Sequence, residues 1–95
     1  ELDGRTTPDD LGLGKMVAAD KDFVGKRSLS RPGLLCGDRR QLVGLVPADG
    51  RTAIPRGSQL VVDPHRPLPN PVIGHVSSTC HSPTLERPIA LALLS

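Results

Sequence analysis

Proline and glycine interrupt this chain too often for a helical fold. Ten prolines and ten glycines fall between Gly4 and Pro88. Proline removes a backbone donor and clashes with the preceding turn, and glycine adds conformational entropy that a helix must overcome. Short strands joined by tight turns suit such a chain better. The core is constrained as well. Phe23 is the single aromatic residue, so the interior must rest on Leu, Val, Ile and Ala, which bury less area each. The 95 residues suffice for one small domain. At that size only about 60–65% of the unfolded surface is buried, which makes stability marginal.

Read in order, the chain opens on a polar loop, Glu1 to Asp10. Thr7–Pro8–Asp9–Asp10 reads as the start of a helical turn, with Thr7 as cap and two acids at its positive end. Lys15 to Ala19 leans to strand. Asp22 to Arg31 reads as the best helix, capped by Asp22 and stopped by Pro32–Gly33. Gly25 inside it suggests close packing against a neighbouring backbone. Gln41 to Pro47 is the first strand, and Ala48–Asp49–Gly50–Arg51 a turn. Ile54 to Gly57 is a second turn, and Ser58 to Val62 the second strand. Asp63 to Pro71 carries four prolines in nine residues and must be an extended loop. Val72 to Thr79 is the third strand, with Val72, Gly74, Val76 and Ser78 on one face. Neither face is wholly apolar, which places it at a rim. His81 to Arg87 is a corner, and Ile89 to Leu94, apolar on both faces, is a central fourth strand.

The fold class expected is mainly β with one or two short helices, a small antiparallel barrel of Greek-key type. Residues 1–33 form a lead-in segment and residues 34–95 the barrel. The sequence stops just after its most hydrophobic strand, so it is expected to be cut from something longer, with an open edge on Ile89–Leu94 that invites self-association.

Several function classes are disfavoured. A formal charge of +2 points to no partner. Nucleic-acid binding by stacking needs aromatic platforms that the chain lacks. The apolar run Ile89–Leu94 is too short to cross a membrane, and no signal peptide is visible. Cys36 and Cys80 lack a CxxC spacing and read as reduced thiols of a cytoplasmic protein.

The chemistry-bearing residues cluster in Ile73 to Leu85. His75, Cys80 and His81 could be offered to a metal; the two histidines are an even number apart and could share a strand face. No pair has a familiar ligand spacing, His65 sits in the proline loop, and the set reads as rim residues. Ser78 or Ser82 with His75 or His81, and Asp63 as orienting acid, could make a nucleophile, but the glycine-flanked elbow is absent. Ser82–Pro83 is better explained as turn chemistry. Asp9–Asp10 reads as helix-start acids rather than a carboxylate dyad.

Three ordered blocks carry a family resemblance. Pro8, Asp10, Gly12 and Leu13, then Lys21, Asp22, Phe23, Val24, Gly25, Lys26 and Leu29, resemble the paired elements P-x-[DE]-x-G-L and K-x-D-F-[IV]-G-[KR]-x-x-L, with Lys21 one place closer to Asp22 than that pattern has it. These belong to the glycine-cleavage aminomethyltransferases and their folate-dependent relatives. The run Gln41–Val46 is similar to that family's first barrel strand. Gly74, Val76, Ser77, Ser78, Ser82, Pro83, Thr84, Leu85, Ile89, Ala90, Leu91 and Ala92 follow its strand–corner–strand pattern. Within the family, the first and third blocks look most like the alpha subunits of heterotetrameric sarcosine oxidases.

The resemblance implies a C-terminal barrel lobe in a three-lobed protein built around a tetrahydrofolate pocket. It implies that the lobe closes one side of that pocket, against other lobes of the same chain and the beta, gamma and delta subunits. The parent would turn sarcosine into glycine, 5,10-methylenetetrahydrofolate and hydrogen peroxide, using tetrahydrofolate, FAD, FMN and NAD, with zinc also in the full enzyme. Those cofactors are expected on other segments. No catalytic residue is carried onto this chain. Cys80–His81 departs from the pattern, in which an aromatic is common, and His81 and Ser82 are the residues expected to face the pocket. Arg39–Arg40 could hold an anion, such as the glutamate tail of a folate or a phosphate, or be a solvated connector. A glycine-cleavage aminomethyltransferase and a non-enzymatic β binding module remain as alternatives.

Overall fold

Four aliphatic runs become the four strands of one antiparallel sheet. In the computed structural model, which describes residues 2–95, these are β1 (Gln41–Leu45), β2 (Gln59–Val61), β3 (Val72–Ser82) and β4 (Arg87–Leu94). Their order across the sheet is β1-β4-β3-β2. Three successive strands pair as neighbours, and β1 lies beside the last of them, which is a Greek key. The 46–58 segment therefore crosses from one edge of the sheet to the other. It joins the ladder at its end: the Gly57 N–H donates to the Val76 carbonyl at 2.9 Å, and the Val76 N–H to the Ser58 carbonyl at 2.8 Å.

The register separates the two faces. Val43 pairs with Ala92, and Ala92 with Val76; Leu45 pairs with Ala90. Val76, Ala90 and Ala92 are the buried apolar residues, at 1%, 4% and 0% exposure. The core is thus small side chains on one face of the two inner strands. Gly74 lets those strands approach: a Cβ there would sit 2.3 Å from the Leu93 carbonyl oxygen. The opposite face carries Leu42, Leu93 and His75 in one row.

The register slips between Val76 and Ser78, so Ser77 is an extra residue in β3. Such a bulge exchanges the faces of the residues that follow it. His75 lies across from Leu93, and His81 from Pro88. The two histidines therefore point to opposite faces.

Several expectations are corrected. Asp22–Arg31 is not a helix; only Arg27–Ser30 forms a 3-10 helical turn. Gly25 has φ +89°, a left-handed conformation that breaks the run, and no atom would crowd a Cβ there. Its role is conformational, not close packing. The Lys26 ammonium folds back instead, donating to the Ala19 and Lys21 carbonyls at 2.9 and 2.7 Å and lying 5.9 Å from the Phe23 ring centroid. Lys15–Ala19 is not a strand; Gly14–Met16 is another 3-10 turn. β3 is an inner strand rather than a rim strand. It also runs on to Ser82, which shortens the expected corner to a hairpin turn. β4 is flanked by β1 and β3, so its edges are paired; the open edges belong to β1 and β2. Among the described residues no helix is long and apolar enough to cross a membrane.

Candidate functional site

The best-built polar arrangement lies where the lead-in segment meets the sheet. Thr7 and Asp10 bond reciprocally: the Thr7 N–H donates to Asp10 Oδ2 at 2.8 Å, and the Asp10 N–H to Thr7 Oγ1 at 3.3 Å. This is the reciprocal geometry of a capping box, and it opens the 3-10 turn Asp9–Leu11. Asp10 is buried, and the Arg39 guanidinium reaches it from just before β1. Arg39 Nε donates to Asp10 Oδ1 at 2.9 Å, and Nη2 donates to Oδ2, forming a two-pronged ion pair. Nη2 also donates to the Arg5 carbonyl at 2.6 Å. The hydrogen bonds from Arg39 hold the Asp10 carboxyl at about 2, below its ordinary 3.8, against the opposing effect of burial. The same pair raises Arg39. Arg39 is thus a structural cation, and of the Arg39–Arg40 pair only Arg40 remains for a ligand.

Beside this clasp lies a cavity of about 300 Å³, lined by Asp3, Arg5, Thr6, Arg40, His75 and Leu93, with Asp10 and Arg39 completing its wall. Arg40 Nη1 lies 3.3 Å from His75 Nδ1. A guanidinium only donates, so Nδ1 accepts and the neutral ring carries its proton on Nε2.

The expected site residues fall elsewhere. His81 lies on a cavity of about 420 Å³, shared with Arg51, Ala53 and Ile54 of the crossing segment and with Thr79, Cys80, Pro88 and Ile89. Ser82 is buried at the end of β3. Its hydroxyl accepts the Leu85 N–H at 3.1 Å and so ties the hairpin turn. The bulge keeps His75 apart from His81. No set of three His, Cys, Asp or Glu side chains able to hold a metal forms among the described residues. Asp63 caps the proline loop, accepting the His65 N–H at 2.9 Å. Cys36 and Cys80 are exposed, free thiols. Arg5 and Thr6 had no signal of their own in the sequence. The T-x-x-D spacing announced the cap at Thr7 and Asp10, but nothing local announced a partner at Arg39.

Residues 40–95 match the profile of the glycine cleavage T-protein C-terminal barrel domain. The chain belongs to the glycine cleavage T-protein family. The match opens on Arg40 and takes in all four strands. The likeness extends to the lead-in segment. Over 99% of this chain, the sarcosine oxidase alpha subunit of Rhizobium meliloti is 44% identical. Over 97%, an aminomethyltransferase of Streptomyces avermitilis is also 44% identical. Over its full length, an aminomethyltransferase of Pseudothermotoga lettingae is 40% identical. The chain spans 10% of the length of the first relative and 24% of the other two. The Greek-key sheet is thus the T-protein C-terminal barrel architecture, and the Asp10–Arg39 clasp, both ends of which precede the matched residues, ties the lead-in segment down just before β1.

Proposed function

We propose that this chain is the C-terminal lobe of a folate-dependent sarcosine oxidase alpha subunit, and that it closes one side of the folate pocket. The observation that carries the reading is the 44% identity to a sarcosine oxidase alpha subunit over nearly the whole chain, lead-in segment included. The lobe itself is structural, with residues 1–33 leading in and residues 34–95 forming the barrel. It works in the cytoplasm, against other lobes of the same polypeptide and the companion subunits. The parent reaction yields glycine, 5,10-methylenetetrahydrofolate and hydrogen peroxide.

The residues present fit only part of the cofactor set. Flavin nucleotides and NAD are held by their phosphates at a turn that opens a helix, and the described residues form only 3-10 turns of three or four residues. We assign FAD, FMN and NAD to other segments or subunits. The cavity beside His81 suits one edge of a folate better, because Ile54, Pro88 and Ile89 give it an apolar wall and His81 and Arg51 a polar rim. In this reading His81 faces the pocket and Ser82 holds the hairpin behind it.

The full-length protein assembled with its companion subunits and incubated with sarcosine, oxygen and tetrahydrofolate should form all three products; absence of glycine would refute the reading. His81→Ala should raise the KM for tetrahydrofolate severalfold while sarcosine oxidation without folate is unchanged. An unaltered KM removes His81 from the pocket. Ser82→Ala should leave that KM alone and cost about 1 kcal/mol of stability through the lost turn bond.

The equal identity to an aminomethyltransferase favours a second reading, transfer from a lipoyl carrier protein without a flavin. Glycine-cleavage turnover with a methylamine-loaded carrier, by a protein that purifies colourless, would select it.

A further inference from the structure

The cavity beside the Asp10–Arg39 clasp carries an inference independent of the folate reading. It lies at the other end of the β3–β4 ladder from His81: His75 and His81 are about 20 Å apart along an extended strand. Three guanidiniums, those of Arg5, Arg39 and Arg40, meet two carboxylates, those of Asp3 and Asp10, around it. Asp10 is taken up by Arg39. Asp3 Oδ1 is taken up by its own turn, accepting the Arg5 N–H at 2.8 Å and the Thr6 hydroxyl at 3.1 Å. One positive charge is left over.

Apart from the second carboxylate oxygen of Asp3, the ionisable side chains left at the cavity are donors. Arg40 can give only hydrogen bonds, and it spends one on His75 Nδ1 at 3.3 Å. That contact leaves His75 as a donor through Nε2. Arg5 is positioned by its backbone, whose carbonyl is gripped by Arg39 at 2.6 Å. Donors from three residues therefore meet at one cavity, with Leu93 as an apolar patch among them.

The geometry points to a binding site for a small carboxylate. An acceptor with two oxygens matches the fork of a guanidinium. A single negative charge balances the single surplus positive one, which favours carboxylate over a phosphate dianion. The volume of about 300 Å³ has room for a small carboxylate whose carbon chain lies against Leu93. Arg40 is the main anchor, Arg5 the second, and His75 orients Arg40.

Isothermal titration of the full-length protein with butyrate, a monocarboxylate, tests this. Saturable binding is expected, weakened on the order of tenfold or more in Arg40→Gln and also in Arg5→Gln, since each removes a charged hydrogen bond. Arg40 and Arg5 are exposed, so neither change threatens folding. Arg40→Lys should recover only part of the affinity, because lysine keeps the charge and loses the fork. No saturable binding, or equal affinity in all variants, overturns the site. Inorganic phosphate binding more tightly than butyrate overturns the assignment to carboxylates. Sarcosine turnover enters neither result, so the failure of this site and the failure of the folate reading are separable.

Discussion

Asp10 shows how one buried carboxylate organises a segment that has no core of its own. It ends a capping box, receives both prongs of Arg39, and through Arg39 fixes the Arg5 carbonyl. Replacing it by Asn removes the charge and leaves Arg39 with a weaker partner. Asp10→Asn should cost on the order of 2 kcal/mol, read as a lowered denaturation midpoint. The pH dependence has a definite sign. The folded carboxyl titrates at about 2 and an ordinary one at 3.8. The clasp is therefore fully present above about pH 4 and is lost as the pH falls through that window. Hydrogen exchange of residues 7–12 should be pH-corrected constant above it and speed up below it. In Asp10→Asn that acid step should be missing; a step of the same size in the variant would remove Asp10 as its origin.

At the scale of elements, two glycines in the strands on either side of β4 separate backbone space from backbone freedom. Gly74 faces the Leu93 carbonyl at a distance no Cβ tolerates, while a Cβ on Gly44 of β1 meets nothing within 4 Å. Gly74→Ala should destabilise by about 2 kcal/mol or more, because β3 and β4 must part. Gly44→Ala should stay within about 0.5 kcal/mol and tend to stabilise. Chemical denaturation of both variants compares them directly; equal effects would contradict the close approach of the inner strands. This contrast also marks what the sequence could convey. The runs Gln41–Leu45 and Ile89–Leu94 announced themselves as strands through aliphatic, strand-favouring residues. Asp22–Arg31 misled because its capping residue and its stop signal fit a helix, whereas Gly25 at φ +89° is incompatible with one. The bulge at Ser77 left no local mark, so the shared face of His75 and His81, plausible from spacing, dissolved once the register was known. The Asp10–Arg39 pair and the cavity beside it join residues 29 apart, a link that no local pattern encodes.

As a whole the molecule is a plate. It measures 46 × 38 × 17 Å, with a radius of gyration of 16.3 Å, where a compact chain of this length would have about 12 Å. One sheet with partial coverage cannot bury much, and the exposed Leu2, Met16, Val24, Val62 and Leu68 agree with that. The open edges of β1 and β2 present unpaired backbone groups, so residues 1–95 expressed alone should self-associate. Sedimentation velocity across a concentration series should show it; a monomer at every concentration would count against edge pairing. The Greek-key order also bears on the protein while it is being made. Gln41 pairs with Leu94, and Leu45 with Ala90. The first strand of the sheet thus leaves the ribosome about fifty residues before its partner, a wait of roughly 3–10 s at ordinary rates of synthesis. During that interval β1 has no strand partner. The nascent chain is a row of unclaimed donors and acceptors whose fate depends on chaperones, or on how fast translation reaches β4.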